Sequence, residues 1–415
     1  PAGFVFGDAE DQNVIKCGSY IGNGTDPGPE IFLGWEPSWI MLKRADSSGD
    51  WAVFDSMRGI VTGGSDKFLR PNLSNDAATA GQTIELTPTG FKLRYGQTIS
   101  NLSNAEMIYV AIRRSDGYVG KPPELGSDVF TTVVRSSSTA PRYISNFPVD
   151  WALNRSPSLN RDWFTTNRLT GPQVLKLNST DEGNDNSDYA HFDHNNGYSN
   201  HGASGDQSWM WKRHKGFEVQ AYKGVSGNGI RAHQMSTTPE MIWVKNRDQT
   251  DGWAVFHKDL GTYPQDKYMR LDTQSDIISS NQWYLPPTST HWYTASGGLT
   301  NVNGENYIAM LFASTDVSAV GSYAGQLSDK TVTVGFQPRF IIIKRDSVAH
   351  WVVFDTLRGI SSSGSGGDYL IYLNSDAAQS VGTYIDVSST GFTVKGNTWN
   401  SINTVDSNYL YYAHA

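Results

Sequence analysis

The chain has 415 residues, with 33 lysines and arginines against 41 aspartates and glutamates, 12% aromatic residues, 41 glycines and one cysteine. That length exceeds one ordinary core and calls for several domains, and the composition is that of a turn-rich all-β protein rather than a disordered one. A net charge of -8 repels phosphate backbones, a single cysteine cannot form an intrachain disulfide, and no apolar run reaches about 18 residues, so nucleic acid, disulfide cross-links and a membrane-spanning helix are not expected.

From the N-terminal side, Gly18-Ser19-Tyr20-Ile21-Gly22 opens the first readable unit. Trp39-Ile40-Met41-Leu42, after Pro37, is a short apolar run suited to a strand, and Trp51 and Val53 alternate with neighbours of the opposite face. Gly90-Phe91 marks a turn entering a strand, and Tyr109 through Arg114 reads as a closing strand. These phrases return. Gln220-Ala221-Tyr222-Lys223-Gly224 and Gly321-Ser322-Tyr323-Ala324-Gly325 repeat the opening, and Pro338 through Arg345 repeats the proline-strand-basic phrase. The opening tyrosines imply a period of about 101 residues, so a further copy is expected between the first and third. Phe147 through Arg155, Trp163 and Asn167-Arg168-Leu169-Thr170-Gly171 supply it in degraded form.

Such a period is too long for a solenoid and gives whole domains. The expected fold is all-β: a tandem array of about four β-sandwich, jelly-roll-like domains. Their bounds are read as 1–116, with an N-terminal lead-in, 127–215, 216–314 and 315–415, with a linker over 117–126. Spacers between the second, third and fourth copies are nearly absent, which predicts a stiff end-to-end array.

The most repeated phrase holds Trp51, Asp55, Arg58 and Gly59, then Trp163 and Gly171, Trp253 and Gly261, and Trp351, Asp355, Arg358 and Gly359. A carboxylate beside a guanidinium could be catalytic, but the acid position reads Asp55, Asn167, His257 and Asp355 across the copies. An acid or nucleophile loses its chemistry as Asn. A turn-former does not, because Asp, Asn and His all bond to loop backbone. The slot is therefore read as structural. Lys43-Arg44, Lys245, Arg247 and Lys344-Arg345 close strands, and are read as pairing or covering apolar surface rather than holding an anion.

Trp283-Tyr284 and Trp292-Tyr293 are the candidate ligand-binding residues, because adjacent strand residues face opposite ways and an exposed ring can stack on a sugar. Residues 181–188 are acidic and Asn-rich, and His191, His194 and His201 are possible metal ligands, but the spacing of a calcium loop is lacking and no metal or other cofactor is expected. No phosphate loop, nucleophile elbow or zinc-protease motif appears, so no catalytic residues are assigned.

The opening Gly18 through Gly24, the phrase from Pro239 to Arg247, Trp51 through Ile60, Tyr307 through Ala313, and Arg113 through Gly117 resemble a tandem-repeat family of virion structural proteins in tailed, often marine, bacteriophages. The likeness runs from about Asn13 to Ala415. It implies a virion location and other virion proteins as partners. The expectation is a non-enzymatic tail-fibre or tail-tip component that binds host-surface glycan. A homo-oligomer is expected, with a trimer as the guess from how fibres are built. A capsid decoration protein is the alternative of the same class. A polysaccharide depolymerase with two carboxylates about 5–10 Å apart is the alternative of another class.

Overall fold

A computed structural model describes residues 14–114, 125–135, 137–185, 190–200, 202–235, 237–360, 367–396 and 402–415. Among these the chain is all-β, with helical geometry confined to three single turns at Gly126–Asp128, Arg168–Thr170 and Pro264–Asp266. Most of the expected linker 117–126 lies outside the described residues.

Four six-stranded antiparallel sheets share one topology. In the first, Ile15–Ile21 forms an edge, followed in space by Glu106–Arg113, Pro37–Arg44, Ala52–Asp55, Asp66–Leu69 and Ala78–Ala80. The closing strand of the module is therefore inserted between its opening strand and its proline-led strand. The same arrangement recurs over Phe130–Val134 to Gln207–Trp211, Phe217–Lys223 to Asn306–Phe312, and Ser318–Ala324 to Asn408–His414. A smaller sheet, such as Glu30–Phe32, Gly90–Leu93 and Ile84–Thr87, covers one face and completes each sandwich.

The period of two decides what lies inside each sandwich. In the first module Ile40, Leu42, Ala52 and Phe54 point inward onto Phe91 and Leu93 and are fully buried. The repeat-opening tyrosine closes this interior. Tyr20 donates to Ser100 O at 2.6 Å, Tyr222 to Thr300 O at 2.7 Å, and Tyr323 to Ile402 O at 2.5 Å. Each hydroxyl is thus satisfied where the ring is buried.

The outer faces of the six-stranded sheets decide how modules meet. In modules two, three and four these faces are buried against one another in one shared core. Around its centre Trp151 and Trp211 of module two lie 4.4 Å apart, Trp151 meets Phe217 of module three at 5.4 Å, and Trp211 meets Phe340 of module four at 5.3 Å. Phe312 and Tyr412 complete the circuit between modules three and four at 4.9 Å.

The repeated tryptophan makes the same bond at each of the three junctions. Trp163 donates Nε1–H to Tyr372 O, Trp253 to Lys176 O, and Trp351 to Arg270 O, at 2.7, 2.9 and 2.9 Å. The three acceptors hold equivalent positions, one residue past Ile371, Leu175 and Met269, which pair with Val353, Thr165 and Val255. Module two thus donates to four, four to three, and three to two. A head-to-tail contact that returns to its start after three steps is a closed ring with pseudo-threefold symmetry. The expected close coupling of these modules is present, but the end-to-end arrangement is not: shared burial of the outer sheet faces closes them into a triangle.

Module one docks outside this ring. Arg213 Nη1 donates to both carboxylate oxygens of Glu36, at 2.8 and 2.7 Å, and Arg247 Nη1 donates to Thr62 O at 2.9 Å. Burial opposes a charge on Arg213, but Glu36 and Asp150 outweigh it and hold its pKa above the usual range. Asp150 is likewise held low against its own burial by Arg213, Arg168 and Arg114.

Candidate functional site

The acid slot builds a turn in every module. Asp55 Oδ1 accepts from the backbone N–H groups of Met57 and Arg58 at 3.0 and 2.8 Å. Asn167 Oδ1 accepts from Leu169 and Thr170, His257 Nδ1 from Asp259, and Asp355 Oδ1 from Arg358. Four residues after the acid position comes Gly59, Gly171, Gly261 or Gly359, with φ of 111°, 59°, 104° and 114°. Side chains seldom adopt such backbone, which is why glycine recurs there. The structural reading of the slot rests on these bonds.

Asp355 does more than turn the chain. Its carboxylate also accepts from Trp209 Nε1 at 3.0 Å and Gln207 Nε2 at 3.1 Å, both in module two, while Arg358 Nε pairs with it at 2.6 Å. The group is fully buried. It ties module four to module two.

Of the basic strand ends, Lys245, Arg247 and Lys344 are internal, while Arg44 pairs with Asp46 at the surface. Lys245 Nζ donates to Asn246 O and Gln249 O, and Lys344 Nζ to Arg345 O and Ser347 O. Burial brings each amine down to about 8. In module two the equivalent Arg155 instead reaches Ser375 O, Asp376 O and Ala377 O of module four.

Each aromatic doublet places its tryptophan inside: Trp292-Tyr293 divide by strand alternation, whereas Trp283-Tyr284 lie in the loop before that strand. Trp283 and Trp292 are buried, so their expected role in ligand contact is corrected. Trp283 donates to Lys267 O at 3.1 Å and packs on Phe256, and Trp292 donates to Gln220 Oε1 at 2.9 Å beneath Arg231. The larger apolar ring of each doublet enters the core. Tyr284 is exposed, and Tyr293 is half-buried on the two-stranded antiparallel sheet formed by Gly229–Ala232 and His291–Thr294, opposite the exposed Ile230.

Among the described residues no group of three or more His, Cys, Asp or Glu is placed to hold a metal. Residues 186–188 and His201 lie outside them. No described helix is long and apolar enough to cross a membrane.

Among the described residues, clefts border module one on two sides. One, of about 680 Å³, lies between its turn at Ser56 to Lys67 and module two, facing Gln173, Asp185, His191 and Asp193. Arg168 and Arg247 line it, but their guanidinium groups are engaged by Val149 O and Thr62 O. The other, of about 610 Å³, lies against module three and is bordered by Glu30, Lys92, Arg94, Lys223, Ile230 and His291. Arg231 stands at its wall, 3.8 Å over the Tyr222 ring and bonded to Thr294 Oγ1 at 2.6 Å. Ile230 and His291 place this cleft beside Tyr293, giving mixed charge, an apolar rim and an aromatic edge. No local sequence signal pointed to it, because its walls come from modules more than a hundred residues apart.

The chain matches the family described as "Domain of unknown function (DUF7483)" over residues 4–115 and 180–415. The unmatched stretch falls on the linker region and the first part of the divergent second module. No curated protein matches the chain.

Proposed function

The chain belongs to the DUF7483 domain family, and from that premise we propose that it is a structural protein of a tailed-bacteriophage virion, a non-catalytic component of the tail fibre or tail tip. Its repeated phrases resemble those of phage virion repeat proteins, and the architecture supports a scaffold role. One observation carries this reading. A residue kept in all four copies, the slot tryptophan, joins module to module at three equivalent junctions. Repetition here serves assembly, and the acid that accompanies it forms turns.

Host-surface glycan is the proposed external ligand. Tyr293, beside the cleft at Ile230 and His291, offers a ring face and polar groups together, the pairing that sugar recognition uses, and Tyr284 supplies a separate exposed ring. Other virion proteins are the proposed partners at the opposite attachment.

Labelling phage particles with an antibody to the chain tests the reading, with expected decoration of the tail at a few tens of copies or fewer. Hundreds of copies over the capsid would replace it with the decoration reading. Sustained release of reducing sugar from host polysaccharide, abolished by one carboxylate substitution, would replace it with the depolymerase reading.

A further inference from the structure

Module one has the same six-stranded sheet as its three sisters, yet its outer face is covered by none of them. Ile112 holds the position of Trp211, Phe312 and His414, each opposite the first core residue of the proline-led strand. Those three are fully buried, whereas Ile112 is 36% exposed. Ile108 and Leu69 on this face are 38% and 37% exposed, and Ile15 and Ile21 are 58% exposed. Trp39, Met41, Trp51 and Val110 are half-buried between them. A continuous apolar face of this kind marks a contact surface.

Trp51 is prepared for the sister contact. Its backbone N–H is held by Asn72 Oδ1 at 3.1 Å, as Trp163 is held by Asn178, Trp253 by Asp272 and Trp351 by Asn374. Its indole Nε1–H makes no hydrogen bond among the described residues, although the equivalent indole bonds to a neighbouring module in each of the other three. The equivalent acceptor, the carbonyl of Arg70, follows Leu69 on the same face.

We propose that the full chain is a homotrimer in which three copies of module one close on one another through this face, as modules two, three and four do within each chain. The occupant follows from the molecule itself. Donor and acceptor lie on one module, so the contact is head-to-tail between identical partners, and the geometry already realised closes at three. Trp39, Met41, Val110 and Ile112 form the shared core of that second ring. This inference rests on the repeat geometry and stands whether or not the protein belongs to a tail fibre.

Cys17 reports on the face directly. It pairs with Val110 and is exposed in a single chain, while the equivalent Val219 and Val320 are buried in the existing ring. Sedimentation equilibrium of the full chain is expected to give three times the 45.7 kDa chain mass, with maleimide labelling of Cys17 slowed about tenfold or more relative to denatured chain. The double variant Met41→Arg, Ile112→Arg is expected to sediment as one chain, to label rapidly at Cys17, and to keep the wild-type far-ultraviolet circular dichroism. Both sites are partly exposed, so the change does not disturb the sandwich interior. A single-chain or two-chain mass for the wild type overturns the proposal. So does a single-chain mass with protected Cys17, which would mean that the chain covers its own face, and so does a three-chain mass that the double variant leaves unchanged.

Discussion

Trp163 donates its indole Nε1–H to the backbone carbonyl of Tyr372 at 2.7 Å, across 209 residues of chain. Equivalent tryptophans 90 and 188 residues later make the same bond to the next module round, so one sequence phrase sets all three junctions of the ring. Each junction adds a fully buried indole to the core that the outer sheet faces share.

Trp253→Phe is expected to keep most of that packing while removing the bond to Lys176 O, lowering unfolding free energy by about 1 kcal/mol. Trp253→Ala removes the ring as well and is expected to cost about 3–5 kcal/mol. Urea titration followed by fluorescence measures both. Equal losses for the two variants would mean that packing of the ring contributes nothing beyond the bond.

The two aspartates of the slot are expected to differ. Asp355 is buried, pairs with Arg358, and receives Trp209 and Gln207 of module two. Asp355→Ala leaves a buried guanidinium without its counter-charge and is expected to destabilise by about 3–5 kcal/mol. Asp55 pairs with Arg58 at the partly exposed edge of module one, with no partner from another module among the described residues. Asp55→Ala is expected to cost about 1 kcal/mol. Thermal unfolding of the two variants decides this. A shared catalytic role would instead leave both stable and abolish an activity together.

Stability is expected to fall on acidification from pH 6.5 towards pH 3. Burial lowers His257 and His414 to about 3, with Lys258 and Arg339 adding to the effect, and burial together with His414 and Lys212 lowers His214 well below its usual value. These imidazoles are neutral when folded and protonated when unfolded in that window, so the unfolded state binds more protons and stability rises with pH. Asp66 takes the opposite sign. Burial raises it to about 6, so its contribution is lost as pH rises through that value. The histidines outnumber it, and the net slope stays positive. Denaturant midpoints between pH 4 and 7 measure the slope, and His257→Gln is expected to flatten it.

The repeats, the all-β fold and the turn role of the slot were legible because each depends on local order: a glycine four residues after an acid, or a tyrosine at a strand opening. Ring closure was not, since its contacts join residues such as Arg161 and Asp376. A trace of it was present. Trp209-Met210-Trp211 and Ile341-Ile342-Ile343 are apolar at every position instead of alternating, which fits a sheet covered on both faces. The aromatic doublets were half legible. For Trp292-Tyr293 alternation required one ring inside, but Trp283-Tyr284 lie in a loop, and only the packing around Phe256 and Tyr222 decided that both tryptophans are buried.

The ring is tested most directly by a cross-link between modules two and four, which an end-to-end array would hold apart by the whole of module three. Arg161 N donates to Asp376 O at 2.8 Å. In a Cys17→Ser background, Arg161→Cys with Asp376→Cys is expected to form an intrachain disulfide on mild oxidation, seen as faster migration on a non-reducing gel and as one linked peptide after digestion. Two free thiols under those conditions in the folded chain would contradict the closed ring.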